Sequence, residues 1–174
     1  MTTLVSTPVS NVYAVPQTIN ARGSTDSNMG TIKGFVTTAT GDQDSADIIH
    51  LCVLPWNAKI HSIVIYNDDL DVNATPTFAV DVGIYKMNAA GTKTAVDVDA
   101  YASAITTLQA ANTVGVNVAF EARDIIKIGQ TVIEDAGLTA APSDGQVALL
   151  SMTVTTVSAT PTAGDIAFTV TYTQ

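Results

Sequence analysis

The sequence predicts a mainly β protein, an antiparallel β-sandwich of jelly-roll type with one or two short helices, and three observations carry that expectation. Apolar residues alternate with others in several runs, most cleanly Phe78, Val80, Val82 and Ile84, and later Ile166, Phe168, Val170 and Tyr172. A period of two turns one face of a strand toward a core. The chain lacks the strand–helix–strand rhythm of a parallel sheet. Only 13% of the 174 residues are charged, against about 25% in an ordinary soluble domain. Thr, Ser, Asn, Ala and Gly must therefore fill water-facing positions, which suits pleated strands and surfaces that a partner covers.

Two segments are expected, an extended N-terminal arm over 1–29 and a single sandwich domain over 30–174. The arm carries Pro8, Pro16 and isolated apolar residues without a sustained period, so it has no core of its own. The run from Thr31 to Thr40 reads as the first strand. IIHLCVL and IHSIVIYN, either side of Pro55-Trp56-Asn57-Ala58-Lys59, read as a central hairpin ending at Asn67-Asp68-Asp69. TFAVDVGIYKM is a strand, and Asn88 to Gly91 turns it back into an antiparallel partner over Lys93 to Asp99. The alanine-rich stretch Tyr101–Ala111 reads as a short helix, and Val114, Val116, Val118 and Phe120 as a strand with its apolar side inward. From Ile125 the period changes: Ile125, Ile128, Val132, Ile133 and Ala136 share one helical face, with Gly137 as a left-handed cap and Leu138 packing back. Two strands, Gln146–Thr156 and Asp165–Thr173, complete a count of eight.

Composition excludes several classes. The formal net charge is -9 and the seven Lys and Arg are scattered, with a sequence pI of about 4.2. Phosphate neutralisation needs clustered cations, so direct nucleic-acid contact and docking on an anionic membrane are not expected. One cysteine, Cys52, rules out an internal disulfide. The N-terminus lacks the charged start and apolar core of a secretion signal, and no stretch reads as a membrane helix.

The search for chemistry is equally sparse. His50 and Cys52 lie two apart and should share a face of their strand, but two ligands are too few for zinc. Asp42, Asp44 and Asp47 precede the central strands and Asp68, Asp69 and Asp71 follow them. Calcium takes several such oxygens, yet the spacing matches no complete calcium loop, and aspartate is ordinary turn chemistry. No cofactor is therefore expected. Asp97 and Asp99 read as the solvent side of a strand, and the two glutamates, Glu121 and Glu134, as unrelated positions. The chain carries no phosphate-binding glycine loop, no nucleophile elbow and no His-Glu-x-x-His helix, so an enzyme is not expected.

The stretch LCVLPWNAKIHSIVIYNDDL, followed by VDVGIYK, VDVDAYASA, IGQTVIEDAGL and a Thr-rich closing hairpin, resembles small virion structural proteins of tailed bacteriophages over about Gly30 to Gln174. A strand ending in Leu-Pro, one ending in Asn-Asp and one reading Asp-Val-Gly-Ile carry the resemblance. It implies a virion building block, of capsid decoration or other head or tail type; the leading expectation is a capsid decoration, or cement, protein on the outer surface of the assembled head, made in the host cytoplasm. The partners expected on that basis are the major capsid protein and further copies of the chain, as a homotrimer. Tyr13 and Val15 in the arm, and Trp56 between the central strands, are the candidate contact residues by side-chain type. The alternative is a tail or receptor-binding protein whose sandwich grips carbohydrate, with Trp56 as the stacking candidate.

Overall fold

The computed structural model describes residues 29–142 and 146–174. The expected arm lies outside the described residues except for Met29, with which the first strand opens. Among the described residues the strands are β1 (Met29–Thr38), β2 (Ile48–Leu54), β3 (Lys59–Asn67), β4 (Ala79–Met87), β5 (Lys93–Ile105), β6 (Asn112–Asn117), β7 (Val147–Thr156) and β8 (Gly164–Thr173). They form two four-stranded antiparallel sheets, in the orders β1-β8-β3-β6 and β2-β7-β4-β5.

The pairing is nested. β4 joins β5, β3 joins β6, β2 joins β7 and β1 joins β8, as in one long hairpin folded at residues 88–92. Asn88 makes that fold tight, since its Oδ1 accepts the N–H groups of Ala90 and Thr92 at 3.0 and 2.9 Å. Gly91 takes φ of +80° there, which costs glycine little. Rolling the ribbon then pairs β8 with β3 and β7 with β4, which completes the jelly roll.

The sheets bury their inner faces against each other. Ile63, Ile65, Phe168 and Val170 from one meet Val80, Val82, Ile84, Leu150 and Met152 from the other. On β1, Gly30 and Gly34 sit directly opposite Tyr172 and Phe168. A Cβ would come within 2.5 Å of the Tyr172 ring and 2.7 Å of the Phe168 ring, so each glycine leaves room for an aromatic ring across the ladder.

Several expectations are corrected. β2 and β3 have the expected limits but no hairpin, because they lie in different sheets, as do the closing strands β7 and β8. Alternation specifies which side of a strand faces the core, whereas its neighbour depends on distant contacts. The helix expected over Tyr101–Ala111 is instead the end of β5, with a 3-10 turn at Thr107–Gln109. Ala102 is in register with Val82, and Ala104, at φ +49°, donates its N–H to Asp81 Oδ1 at 2.7 Å. Those tertiary bonds override the helix preference of alanine.

The helix expected from Ile125 is broken into a 3-10 turn, Ile125–Gly129, and one α-turn, Val132–Asp135. Gly129 interrupts it, and Thr131 restarts it by accepting from the Glu134 N–H, while Glu134 accepts from the Thr131 N–H at 2.8 Å. The close is as expected: Gly137 has φ +66° and donates to Glu134, and Leu138 folds back on the core. β6 keeps neither Val114 nor Val116 inside; Val114 is 89% exposed. Gly115, at φ +87° beneath Tyr66 and Val64, re-aims this edge strand.

Candidate interaction surfaces

Tyr13 and Val15 lie outside the described residues. Trp56 is partly buried, with its indole N–H donating to the Gln146 carbonyl at 2.7 Å while its own carbonyl accepts from Ile133. It pins the entry to β7 and the Val132–Asp135 turn against the link between β2 and β3.

His50 and Cys52 do not share a face. The register shifts between them, so His50 stands opposite Ser151 and Cys52 opposite Leu150, whose side chains point to opposite sides of β7. Cys52 packs against the core, and burial pushes its thiol up to about 12. His50 Nδ1 lies 2.7 Å from Ser151 Oγ, and its ring meets Tyr85 edge-on at 5.6 Å. Burial, helped by Lys93, lowers the His50 pKa and favours the neutral ring. A serine beside a neutral histidine can begin acyl transfer, but Ser151 is fully buried and meets no substrate. His61 is likewise lowered by burial and by Arg123 and Lys59; it contacts Thr173 Oγ1 at 2.9 Å.

The acidic loops are engaged with their own backbone. Asp42 accepts the Ala39 N–H, Asp47 that of Asp44, Asp68 that of Asp165 and Asp69 that of Asp71. Asp71 is 1% exposed and accepts four N–H groups, from Thr77, Phe78 and Ala159 on Oδ2 and from Thr160 on Oδ1, at 2.8 to 3.1 Å. Desolvation opposes its charge, yet those four donors hold its carboxyl well below the usual carboxylate range. Among the described residues no three His, Cys, Asp or Glu side chains assemble a metal-binding group. Glu121 also serves the backbone, accepting from the Ser103 N–H at 2.7 Å. Among the described residues no helix is long and apolar enough to cross a membrane.

Among the described residues two surfaces stand out. The outer face of the first sheet forms cross-strand rows, Phe35–Ala167–Tyr66, then Lys33–Thr169–Val64–Asn117, then Thr31–Thr171–Ser62. Lys33 is the single charge in these rows.

The other lies beside the 3-10 turn Ile125–Gly129. Ile125, Ile126 and Ile128 are 59%, 82% and 41% exposed. Next to them a cavity of about 270 Å³ is lined by Asp97, Asp99, Arg123, Lys127, Gln130, Glu134 and Asp135, with Ala100 and Ala122. Burial raises the Asp97 pKa, and Asp99 beside it adds to the rise. Burial lifts Asp135 to about 6 against the pull of Arg123. The expected apolar stripe is split: Val132 and Ala136 reach the core, whereas Ile125 and Ile128 join Ile126 in an exposed apolar ridge beside the acidic side chains. Thr131 and Glu134 were the signals in the sequence for this break.

No family model matches the chain, and no curated protein matches it. Among solved structures it is similar to a chain of the capsid asymmetric unit of cyanophage Pam1, with 26% identity and a TM-score of 0.57, over 92% of this chain and 95% of that one. It is also similar in fold to a chain of the capsid of Ralstonia phage GP4, with 22% identity and a TM-score of 0.61, over 90% of each chain.

Proposed function

We propose that this protein is a structural component of a bacteriophage virion, a capsid decoration protein that binds the outer surface of the assembled head. The observation that carries this reading is the near end-to-end likeness to a chain of the cyanophage Pam1 capsid. Three features of the molecule agree with it. The fold is a jelly roll, an architecture used repeatedly in viral capsids. The three outer rows of the first sheet through Phe35, Lys33 and Thr31 carry one charge, so covering them removes little hydration from ions. Among the described residues the serine–histidine pair, His50 with Ser151, has its serine buried, which fits a passive role better than an enzymatic one.

The mechanism is association. Copies, arranged as homotrimers, bridge neighbouring major capsid subunits and add contact free energy across each junction. Once one contact forms, the next is intramolecular, so modest individual contacts hold the shell together. The arm before β1, with Tyr13 and Val15, supplies further contacts with the capsid or with neighbouring copies. No cofactor takes part.

Cryo-electron microscopy of the intact virion tests the reading. Density for the jelly roll on the outer head lattice, with threefold local symmetry, is expected. Density confined to the tail would overturn it and make glycan binding at Trp56 the next question.

A further inference from the structure

We infer that the ridge formed by Ile125, Ile126 and Ile128, together with the acidic cavity beside it, is the docking surface for a different protein that brings an apolar contact and a lysine or arginine. This rests on the virion reading and names the surface and the chemistry through which that association is made.

Three isoleucines within four residues are exposed on a chain whose other turns are built largely from Asp, Asn, Ser, Thr and Gly. The turn is held rigidly: Asp124 caps it by accepting the Ile126 N–H, and buried Arg123 donates to the Lys127 carbonyl at 2.6 Å. In a 3-10 turn, side chains three apart eclipse each other. Ile125 and Ile128 therefore share one side, while Lys127 and Gln130 line the cavity on another. The ridge is presented by its backbone and is not a loose loop that could fold inward.

The cavity decides the kind of occupant. It gathers Asp97, Asp99, Glu134 and Asp135 against Arg123 and Lys127, and Arg123 is already engaged with Asp135. Asp97 and Asp99 are adjacent like charges, and burial raises the Asp97 pKa further, so an incoming cation relieves both effects. A second copy of this chain, at a net charge of -9, brings mostly the wrong sign. A partner surface with a cation beside an apolar contact fits both halves of the site.

The test uses intact virions and the free full-length protein. Hydroxyl-radical footprinting should show Ile125, Ile126 and Ile128 reactive in the free protein and at least about fivefold protected in the particle. A zero-length carbodiimide cross-linker should join Asp97, Asp99 or Glu134 to a lysine of another virion protein. Ile126→Asp, at an exposed position, should fold normally and bind particles stripped of this protein at least about tenfold more weakly. Val72→Asp, exposed elsewhere, should bind as before. Equal reactivity of the ridge in the free protein and the particle would overturn the inference, as would cross-links solely to its own copies. Protection already present in the free protein would also overturn it. Absence of the protein from the virion would instead overturn the reading on which it rests.

Discussion

Arg123 Nε lies 3.2 Å from Asp135 Oδ1, and the two side chains are only 2% and 1% exposed. The guanidinium also donates to the carbonyls of Ile60 and Lys127 and lies over the Phe120 ring at 5.0 Å. Asp135 accepts from the Tyr101 hydroxyl at 3.3 Å. This cluster ties β3, β5 and the 123–135 segment together. Arg123→Met or Asp135→Leu alone leaves a buried charge without its partner and should cost about 3–5 kcal/mol. The double variant should recover much of that loss, as read from urea unfolding curves.

The pH dependence of Asp135 runs opposite to that of an ordinary paired carboxylate. Its folded pKa is raised by burial from 3.8 to about 6, so the folded state holds the proton more tightly than the unfolded chain. The stabilisation this gives is complete below about pH 3.8 and is lost as pH rises through about 6. A carboxyl NMR titration should place the Asp135 midpoint near 6. A midpoint at or below 4 would contradict the burial argument.

Asp71 behaves the other way. Its carboxyl is held below the usual range by four backbone donors, so its stabilisation is present above about pH 4 and fades as pH falls below that. It joins residues 77–78 to 159–160, and Asp71→Ala would leave those N–H groups without their acceptor. A loss of about 3 kcal/mol in unfolding free energy at pH 7 is expected. A variant as stable as the parent would show that water replaces the carboxylate.

Gly83 on β4 has no room for a side chain, because a Cβ would collide with the backbone of Asp97 and Val98 on β5. The β4–β5 register shifts here, with β5 accommodating extra residues between Asp97 and Ala102. Gly83→Ala should destabilise the fold by about 1–3 kcal/mol by overpacking, seen as a lower Tm with unchanged far-UV circular dichroism. Gly129→Ala, at a position with nothing within 4 Å of a Cβ, is the comparison.

Cys52 should be inert in the native protein. Its thiol, pushed up to about 12 by burial, is almost wholly protonated at pH 8, and the thiolate is the reactive form. Iodoacetamide should label it slowly until denaturant is added. Rapid native labelling would place the side chain outside the core.

Strand limits were largely legible in the sequence, and so was the inward face of the runs Phe78–Ile84 and Ile166–Val170, because side-chain period is a local property that water selects; the run from Val114 is the exception, with Val114 and Val116 outside. The β4–β5 hairpin and the Gly137 cap were legible for the same reason, each resting on residues a few positions apart. Pairing was another matter. IIHLCVL and IHSIVIYN look like a hairpin in the sequence, yet β2 belongs beside β7 and β3 beside β8, since ladder partners are set by contacts about a hundred residues apart. Bulges escaped for a related reason. One extra residue between His50 and Cys52 separates them onto opposite faces, and pairing of Ala102 with Val82 holds the start of an alanine-rich stretch as strand. Composition and local periodicity were enough to specify a charge-poor, alternating β chain with aspartate-built turns. Which apolar residues reach the core was settled by packing at long range: the two inner faces fill each other, and the 3-10 turn that replaces the expected helix leaves Ile125, Ile126 and Ile128 outside.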